Sequence, residues 1–171
     1  KNNENWAILG ANGSGKSTLI KLFSNDLYPT TKYPFKKEIF GEENWNIFEL
    51  KKNLGIITND LHNTFGSQGK YITAYEVILS GFYSSIQIFN HQDFTKEQHQ
   101  KVLEVLEFLE ILELKDKKVH QMSTGQLRRC IIGRALIHDP KAFILDEPTV
   151  GLDIKSQHSF IKLIQKLSKS A

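Results

Sequence analysis

Short runs of apolar residues along the chain predict strands, and each run leads into a turn. Residues 6–9 (WAIL) precede a glycine-rich loop, and residues 142–145 (AFIL) precede the acidic pair Asp146 and Glu147. Runs this short are typical of buried strands and not of helices. Residues 54–58 (LGIIT) predict another strand, and residues 38–40 (EIF) a shorter one.

Helical spacing is found between these runs. A helix is predicted from Ser17 to about residue 23, and the proline-containing segment 25–34 ends it. A short helix is predicted at 73–81, a helix at 123–137 and an amphipathic helix at 154–168, whereas the polar segment 59–69 is interpreted as a mobile loop. The inward side of the last helix is predicted to be Phe160, Ile161, Ile164 and Leu167.

The longest amphipathic helix is predicted behind Thr95 and Gln98, which have the spacing of a capping box. Apolar residues then recur every three or four positions, at Val102, Val105, Leu106, Leu109 and Leu112. The order of elements is strand, loop and helix, then a helical insertion, then strand, loop and helix again. We therefore predict an α/β fold with a mostly parallel sheet, in which 1–70 and 138–171 form the core and 71–137 a helical subdomain.

Composition narrows the class of protein. The 171 residues are 40% apolar, which excludes a disordered chain, and the net charge of +3 is too small to indicate nucleic-acid binding. A single cysteine, Cys130, excludes an internal disulfide, and no stretch approaches the roughly 20 apolar residues of a membrane-spanning helix. The chain opens without Met and closes within a helical pattern, so we expect it to be part of a longer one.

The loop after residues 6–9 fits the phosphate-binding pattern G-x-x-x-x-G-K-[ST]. Its candidate ligand residues are Gly10, Ala11, Asn12, Gly13, Ser14, Gly15, Lys16, Ser17 and Thr18. Glycines let successive N–H groups point at phosphate oxygens, Lys16 can reach the outer phosphates, and the Ser17 hydroxyl can bind Mg²⁺. The alternative is a glycine-rich turn with an incidental lysine, but a predicted strand before it and helix after it favour phosphate binding.

Asp146 and Glu147 follow a predicted strand at the sheet edge where ligands bind in open α/β folds. A carboxylate at Asp146 can hold Mg²⁺ through water, and Glu147 can polarise an attacking water. Read by themselves, the two residues could be only a hydrophilic strand end. Together with the phosphate loop they predict phosphoryl chemistry.

The turn formed by Ser123, Thr124, Gly125 and Gln126 begins a predicted helix. Ser-x-x-Gln is itself a capping-box pattern and could do no more than start that helix. Gly125 is unfavourable in a first turn unless another group approaches the backbone closely. The turn is therefore also a candidate for a second anion site.

The segments GANGSGKST, MSTGQ, AFILDEPT and GLD, in this order, resemble the nucleotide-binding domain of an ABC-type ATPase. The wider runs WAILGANGSGKSTL and VILSGFYSSI are similar to a bacterial subgroup that includes molybdenum-transport-like and uncharacterised members. The resemblance implies a RecA-like P-loop core with an inserted helical subdomain. It also implies ATP and Mg²⁺ as cofactors.

In this family two such domains pair head to tail with two ATP molecules between them. The resemblance implies that the loop from Gly10 to Thr18 binds ATP, that Ser17 and Asp146 lie on the Mg²⁺ side, and that Glu147 is the catalytic base. It places the partner's ATP against Ser123, Thr124, Gly125 and Gln126, and Asp153 at the dimer interface. The second domain can be identical or different.

The sequence departs from the family pattern at several positions. Thr124 stands where the family usually has glycine, and Asn59 stands where a glutamine usually contacts Mg²⁺, with a side chain shorter by one methylene. The family's adenine-stacking aromatic and switch histidine would lie outside residues 1–171, so we expect this chain alone to hydrolyse ATP weakly or not at all. Trp6 is expected in the core, Arg134 in a structural ion pair, and the six histidines at the surface or in loops.

The sequence leaves three candidate functions for this chain. The first is the ATPase subunit of a transporter, cytoplasmic and peripheral at the inner face of the membrane, with residues 59–69 and 73–81 as the groove for permease subunits. The second is a soluble ABC-type ATPase that acts on nucleic acid or ribosomes, which the small net charge disfavours. The third is a small-molecule kinase, which MSTGQ and LDEP argue against. The transported substrate and its direction are not specified by the sequence.

Overall fold

The computed structural model describes residues 4–30, 32 and 34–170, and for 168–170 the backbone alone. The helices in this part of the chain are α1 (Lys16–Phe23), α2 (Ile47–Asn53), α3 (Asn59–Gln68), α4 (Ala74–Leu79), α5 (Lys96–Phe108), α6 (Thr124–Leu136) and α7 (Ile154–Ser170). The strands are β1 (Leu54–Ile57) and β2 (Ala142–Leu145). Short 3₁₀ turns cover Ser80–Tyr83, Leu112–Leu114 and Val119–Gln121.

β1 and β2 are parallel neighbours, as the apolar runs predict. Leu54 lies opposite Ala142 and Ile57 opposite Leu145, and the Asp146 N–H donates to the Ile57 carbonyl at 3.0 Å. The carboxyl ends of both strands therefore share one edge of the sheet. At this edge β1 leads through Thr58 into α3, and β2 leads into Asp146.

The core lies mainly between α4, α5 and α6. Its most enclosed apolar side chains are at most 1% exposed and include Val77, Ile78, Val102, Leu106, Leu109, Ile131 and Ile132. Burial of such a side chain contributes roughly 1.5–3 kcal/mol. These helices occupy the span that the sequence assigns to a helical subdomain, and the division of the chain into core and subdomain stays a prediction.

The predicted capping box at the start of α5 is confirmed. The Thr95 hydroxyl accepts from the Gln98 N–H at 3.3 Å, and the Gln98 side chain accepts from the Thr95 N–H at 2.9 Å. The amphipathic face is also confirmed as far as Leu109, which is 1% exposed. It does not extend to Leu112, which is 37% exposed, because Glu110 takes φ of 56° and the chain turns away from the helix axis.

The predicted strand at 6–9 is wrong, and so is the prediction that Trp6 lies in the core. Residues 4–9 have no regular secondary structure, and Trp6 is 84% exposed and Leu9 92%. A strand needs a neighbour to bond its N–H and C=O groups. Among the described residues, β1 and β2 pair only with each other and leave the segment without one.

The predicted mobile loop at 59–69 is a helix instead. The Thr58 hydroxyl accepts from the Leu61 N–H at 3.2 Å and caps α3, and Phe65 is completely buried. Leu61 and Phe65 are four residues apart and so lie on one helix face. Their burial outweighs the polarity and the two glycines on which the loop prediction rested.

Two smaller predictions also change. At 38–40 the structure has an isolated antiparallel bridge between Ile39 and Glu42 and no strand. In α7 the predicted inward residue Ile161 is 47% exposed, while Leu163 is 7% exposed and faces the core with Phe160 and Leu167. No helix in the described part of the chain combines the length and apolar character that crossing a membrane requires.

Candidate functional site

The glycine-rich loop lies exposed ahead of α1. Gly13 and Gly15 have φ of 80° and 92°, a region that favours glycine, and Gly15 is the N-cap of α1. Lys16 donates through Nζ to the carbonyls of Gly10 and Ala11, at 2.9 and 3.0 Å. α1 has no side-chain cap and no acidic residue in its first turn, so its N-terminus suits an anion.

The loop residues also meet the steric demands of a phosphate cradle. A Cβ added at Gly10 would lie 2.6 Å from the Ser14 hydroxyl oxygen, so the loop closes tightly on itself there. Ser17 and Thr18 are exposed at the helix start. A lysine, two hydroxyls and unpaired helix-terminal N–H groups therefore fit the phosphates of a nucleotide and an associated Mg²⁺.

The acidic pair follows β2 directly. Asp146 extends the parallel ladder by its bond to Ile57, and Glu147 is exposed with φ of 47°. A left-handed conformation at a residue other than glycine costs about 1–3 kcal/mol and persists where neighbouring groups hold it. Within the described part of the chain, no hydrogen bond or ion pair joins this pair to the phosphate loop.

Arg128 on α6 holds the turn after Glu147, a role that the sequence prediction missed. The residue is 3% exposed. Its Nη1 donates to the Pro148 carbonyl at 2.7 Å and lies 3.5 Å from the Glu147 carbonyl, while Nη2 donates to the Val150 carbonyl at 3.1 Å. Burial lowers the pKa of Arg128, which still carries its charge at neutral pH.

Asn59, the predicted metal-side amide, opens α3 at the carboxyl end of β1. Its Oδ1 accepts from Arg128 Nη2 at 3.0 Å. The oxygen that Asn59 would offer to a cation is therefore bonded to Arg128. The structure brings Asn59 and the Glu147 turn together through this arginine.

The turn from Ser123 to Gln126 forms a complete capping box. The Ser123 hydroxyl accepts from the Gln126 N–H at 3.2 Å, and Gln126 Oε1 accepts from the Ser123 N–H at 3.1 Å and from Lys117 Nζ at 3.0 Å. The capping interpretation is therefore correct for this chain. It leaves the exposed Thr124 and Ser123 surface open to a further partner.

This turn lies beside the segment that follows Glu147. A Cβ added at Gly151 would lie 3.9 Å from Thr124 Cγ2, and one added at Gly125 would lie 3.6 Å from the Ser156 hydroxyl.

Asp153 directly precedes α7 and accepts two hydrogen bonds from Ser156. The Ser156 N–H donates at 2.8 Å and the Ser156 hydroxyl at 2.9 Å, and these bonds lower the pKa of Asp153. Asp153 thus caps α7 and is an exposed carboxylate next to the Ser123–Gln126 turn.

Arg134 is held without a carboxylate among the described residues. Its Nη2 donates to the Ser85 carbonyl at 3.3 Å, its guanidinium lies 5.6 Å from the Phe65 ring centre, and burial lowers its pKa to about 10. The structural role predicted for Arg134 fits these contacts, but the predicted ion pair does not.

His62 lies on α3 and not in a loop. Burial is the main cause that lowers the pKa of His62.

The chain belongs to the ABC transporter family, because the sequence model of that family matches residues 1–150. It is 31% identical over 167 residues to an uncharacterized ABC transporter ATP-binding protein of Bacillus subtilis, YlmA, covering 94% of this chain and 59% of that protein. It is 37% identical over 155 residues to the ABC transporter ATP-binding protein ModF of Escherichia coli, covering 88% and 30%. The chain thus spans less than two thirds of either relative, and the predicted family is confirmed.

Solved structures give the same result. The chain matches cbiO1 of Clostridium perfringens, part of the ABC transporter complex cbiONQ, with a TM-score of 0.72 and 28% identity over 95% of this chain and 61% of that one. It matches an ATP-binding cassette in a dimeric post-hydrolysis state bound to ADP and Pi, with a TM-score of 0.66 and 26% identity over 94% and 67%. The predicted α/β fold of a RecA-like P-loop ATPase is therefore confirmed.

Proposed function

We propose that this chain is the nucleotide-binding part of an ABC transporter subunit that binds and hydrolyses ATP with Mg²⁺ as a head-to-tail dimer. The observation that carries the proposal is the phosphate loop, in which Lys16 lies across the Gly10 and Ala11 carbonyls at the uncapped start of α1. Phosphate oxygens would replace these two carbonyls as partners of Lys16. The family and the dimer bound to ADP and Pi support a nucleotide as the ligand.

Each residue at the proposed site has a distinct task. The backbone of Gly10–Thr18 binds phosphates, and Ser17 and Asp146, the latter through water, hold Mg²⁺. The metal would neutralise charge that develops on the phosphates. Glu147 orients and deprotonates the attacking water, and Asn59 reaches the metal side only if its amide leaves Arg128.

The partner domain would approach the exposed turn at the start of α6. Ser123, Thr124, Gly125 and Gln126 would contact the partner's ATP, and Asp153 would lie at the interface beside them. Thr124 is exposed, so its extra bulk would face the partner and would not displace groups of its own chain. The partner domain is a second copy of this chain or a related one.

A cleft between α1, α3 and α6 supports a membrane partner. Its volume is about 280 Å³, and it is lined by apolar and charged residues that include Ile20, Lys21, Lys51, Asp60, Leu61 and Ile86. Asp60 and Leu61 belong to the segment 59–69 and Gly81 to the segment 73–81, the two segments from which a permease groove is predicted. We infer that a cytoplasmic segment of permease subunits docks here, which would place the protein at the inner face of the membrane.

The full-length protein should be purified from detergent-solubilised membranes and tested for Mg²⁺-dependent phosphate release from ATP. Recovery of an integral membrane protein supports the transporter, and salt-sensitive recovery of nucleic acid or ribosomes in its place overturns the transport part. Lys21→Glu places a second acid beside Asp60 in the cleft and should reduce recovery of the membrane protein. Lys162→Glu, on the exposed side of α7, is the matched control and should leave recovery unchanged.

A further inference from the structure

Arg128 is a buried cation that no carboxylate pairs with in the described part of the chain. It is 3% exposed, yet every hydrogen bond that its guanidinium makes is to a carbonyl or amide oxygen. Burying a charge without an opposite charge carries a large desolvation free energy unless hydrogen bonds replace those lost with water. A buried arginine with such partners therefore indicates a specific geometric task and not a gain in packing.

Three of its partners belong to the turn that carries Glu147. The Glu147, Pro148 and Val150 carbonyls converge on the guanidinium, and the Val150 N–H closes the turn by donating to the Glu147 carbonyl at 3.1 Å. Glu147 itself has φ of 47°. Arg128 thus binds both ends of a turn whose central strain needs outside support.

Its remaining partner lies on the neighbouring strand end. Nη2 donates to Asn59 Oδ1 at 3.0 Å, so one planar guanidinium joins the first residue of α3 to the turn after β2. The rigid, five-donor fork of arginine reaches both sides from two separate nitrogens, whereas a lysine presents a single nitrogen on a flexible stem. The backbone turn that carries the Glu147 side chain is therefore held by a residue of α6.

We propose that Arg128 is a positioning residue for ATP hydrolysis, which fixes the Glu147 turn in its strained form and holds Asn59 against it. The inference rests on the proposed catalytic role of Glu147. It deepens that role, because hydrolysis then depends on a residue of α6, two positions after the Gln126 that ends the Ser123–Gln126 turn. Arg128 contributes to the alignment of the water-activating carboxylate and not to nucleotide affinity.

The test compares Arg128→Lys and Arg128→Met with Arg129→Met in the full-length protein. Arg129 is the neighbouring residue on α6 and bonds the Leu109 carbonyl at 3.0 Å and the Ser159 hydroxyl, away from the turn. Both Arg128 variants should lower kcat about 10- to 100-fold with KM for ATP changed less than about threefold, as for a displaced catalytic group. Arg129→Met should lower Tm and leave kcat of the folded protein within about twofold.

A second readout does not need turnover. Amide hydrogen exchange in the segment 146–152 should be faster in both Arg128 variants and unchanged in Arg129→Met, since only Arg128 holds that turn. A double variant tests the link to Asn59 through kcat. Asn59→Ala combined with Arg128→Met should lower kcat by less than the product of the factors by which the two single variants lower it. If Arg128→Met does not fold, Arg128→Lys, which keeps the charge but loses the fork, decides the matter.

The outcomes separate this inference from the proposed function. Loss of kcat with faster exchange at 146–152 supports the positioning role. Equal kcat and equal exchange in the Arg128 and Arg129 variants overturn it. If the unsubstituted protein does not hydrolyse ATP, the proposed function fails, and the exchange comparison alone decides whether Arg128 holds the turn.

Discussion

Lys16 closes the loop that precedes its own helix, since its Nζ donates to the Gly10 carbonyl at 2.9 Å. The ammonium group is thereby held over the loop and not extended into solvent. A cation in this position, next to the N-terminus of α1, makes the loop attractive to anions before any ligand enters. The same lysine is also bonded to Ala11, so its two carbonyl partners must both be exchanged when phosphate binds.

Replacing Lys16 with alanine should weaken ATP binding about 10- to 100-fold, because a charge-assisted hydrogen bond contributes about 1.5–3 kcal/mol. Titration calorimetry of the full-length protein with ATP would measure the change. Lys21→Ala is the control on the same helix, where the lysine makes an exposed ion pair with Asp60 at 3.6 Å. Equal affinities of the two variants would contradict the role of Lys16 in the phosphate loop.

Gly133 lets α4 and α5 approach α6, which leads to a prediction about stability. A Cβ at Gly133 would lie 2.8 Å from Ile78 Cδ1 and 2.9 Å from Leu109 Cδ1, and both side chains are buried. Gly133→Val should therefore destabilise the fold by about 1–3 kcal/mol through overpacking, measured by urea unfolding.

Gly66 on α3 is the matched control, since a Cβ there meets no atom within 4 Å. Gly66→Ala should be neutral or stabilising by up to about 1 kcal/mol, because alanine has the higher helix propensity. A Gly133→Val protein as stable as the unsubstituted protein would show that the three helices are not packed as closely as described.

Apolar periodicity predicts the elements whose partners lie within the same pattern. The runs at Leu54–Ile57 and Ala142–Leu145 are strands, and the Thr95 and Ser123 capping boxes start helices as predicted. These features are local or depend on a continuous apolar face. The segment 6–9 differs in composition from β2 only by a Trp in place of a Phe. No described strand lies beside it, however, and a sequence run does not show whether a neighbour exists.

The candidate site was only partly predictable for a related reason. Lys16, Asp146 and Glu147 stand in short motifs whose chemistry can be inferred from residue type and order. Arg128 belongs to no such motif, and its task depends on burial and on carbonyls about 20 positions away along the chain. Arg128 is one of three arginines on α6, and residue type alone does not show which of them is buried or which groups it contacts.

Stability should fall in mildly acidic solution because of His138. Burial is the main cause that lowers the pKa of His138 below its ordinary value of 6.5, and Lys52 and Arg134 act in the same direction. The unfolded chain therefore binds this proton more readily than the folded chain. The contribution to stability is complete above about pH 6.5 and is lost as the pH falls through the folded pKa.

Urea unfolding at a series of pH values would measure this dependence. His138→Gln should show a smaller decrease in the free energy of unfolding on acidification than the unsubstituted protein. His158→Gln, at an exposed position on α7, should retain the full decrease. Identical pH profiles for His138→Gln and the unsubstituted protein would remove His138 as a cause.

Glu147→Gln should separate ATP binding from hydrolysis. The amide keeps the size of the side chain and the backbone bonds to Arg128 but cannot accept a proton from water, so turnover should fall at least about 100-fold. ATP affinity should remain within about threefold of the unsubstituted protein, since the phosphate loop is unchanged.

Unhydrolysed ATP in the Glu147→Gln variant should hold two copies together. Light scattering after gel filtration should then detect a dimer with ATP and a monomer with ADP. Unchanged turnover in Glu147→Gln would remove this residue from the chemical step and leave the Arg128 turn without a catalytic group to position.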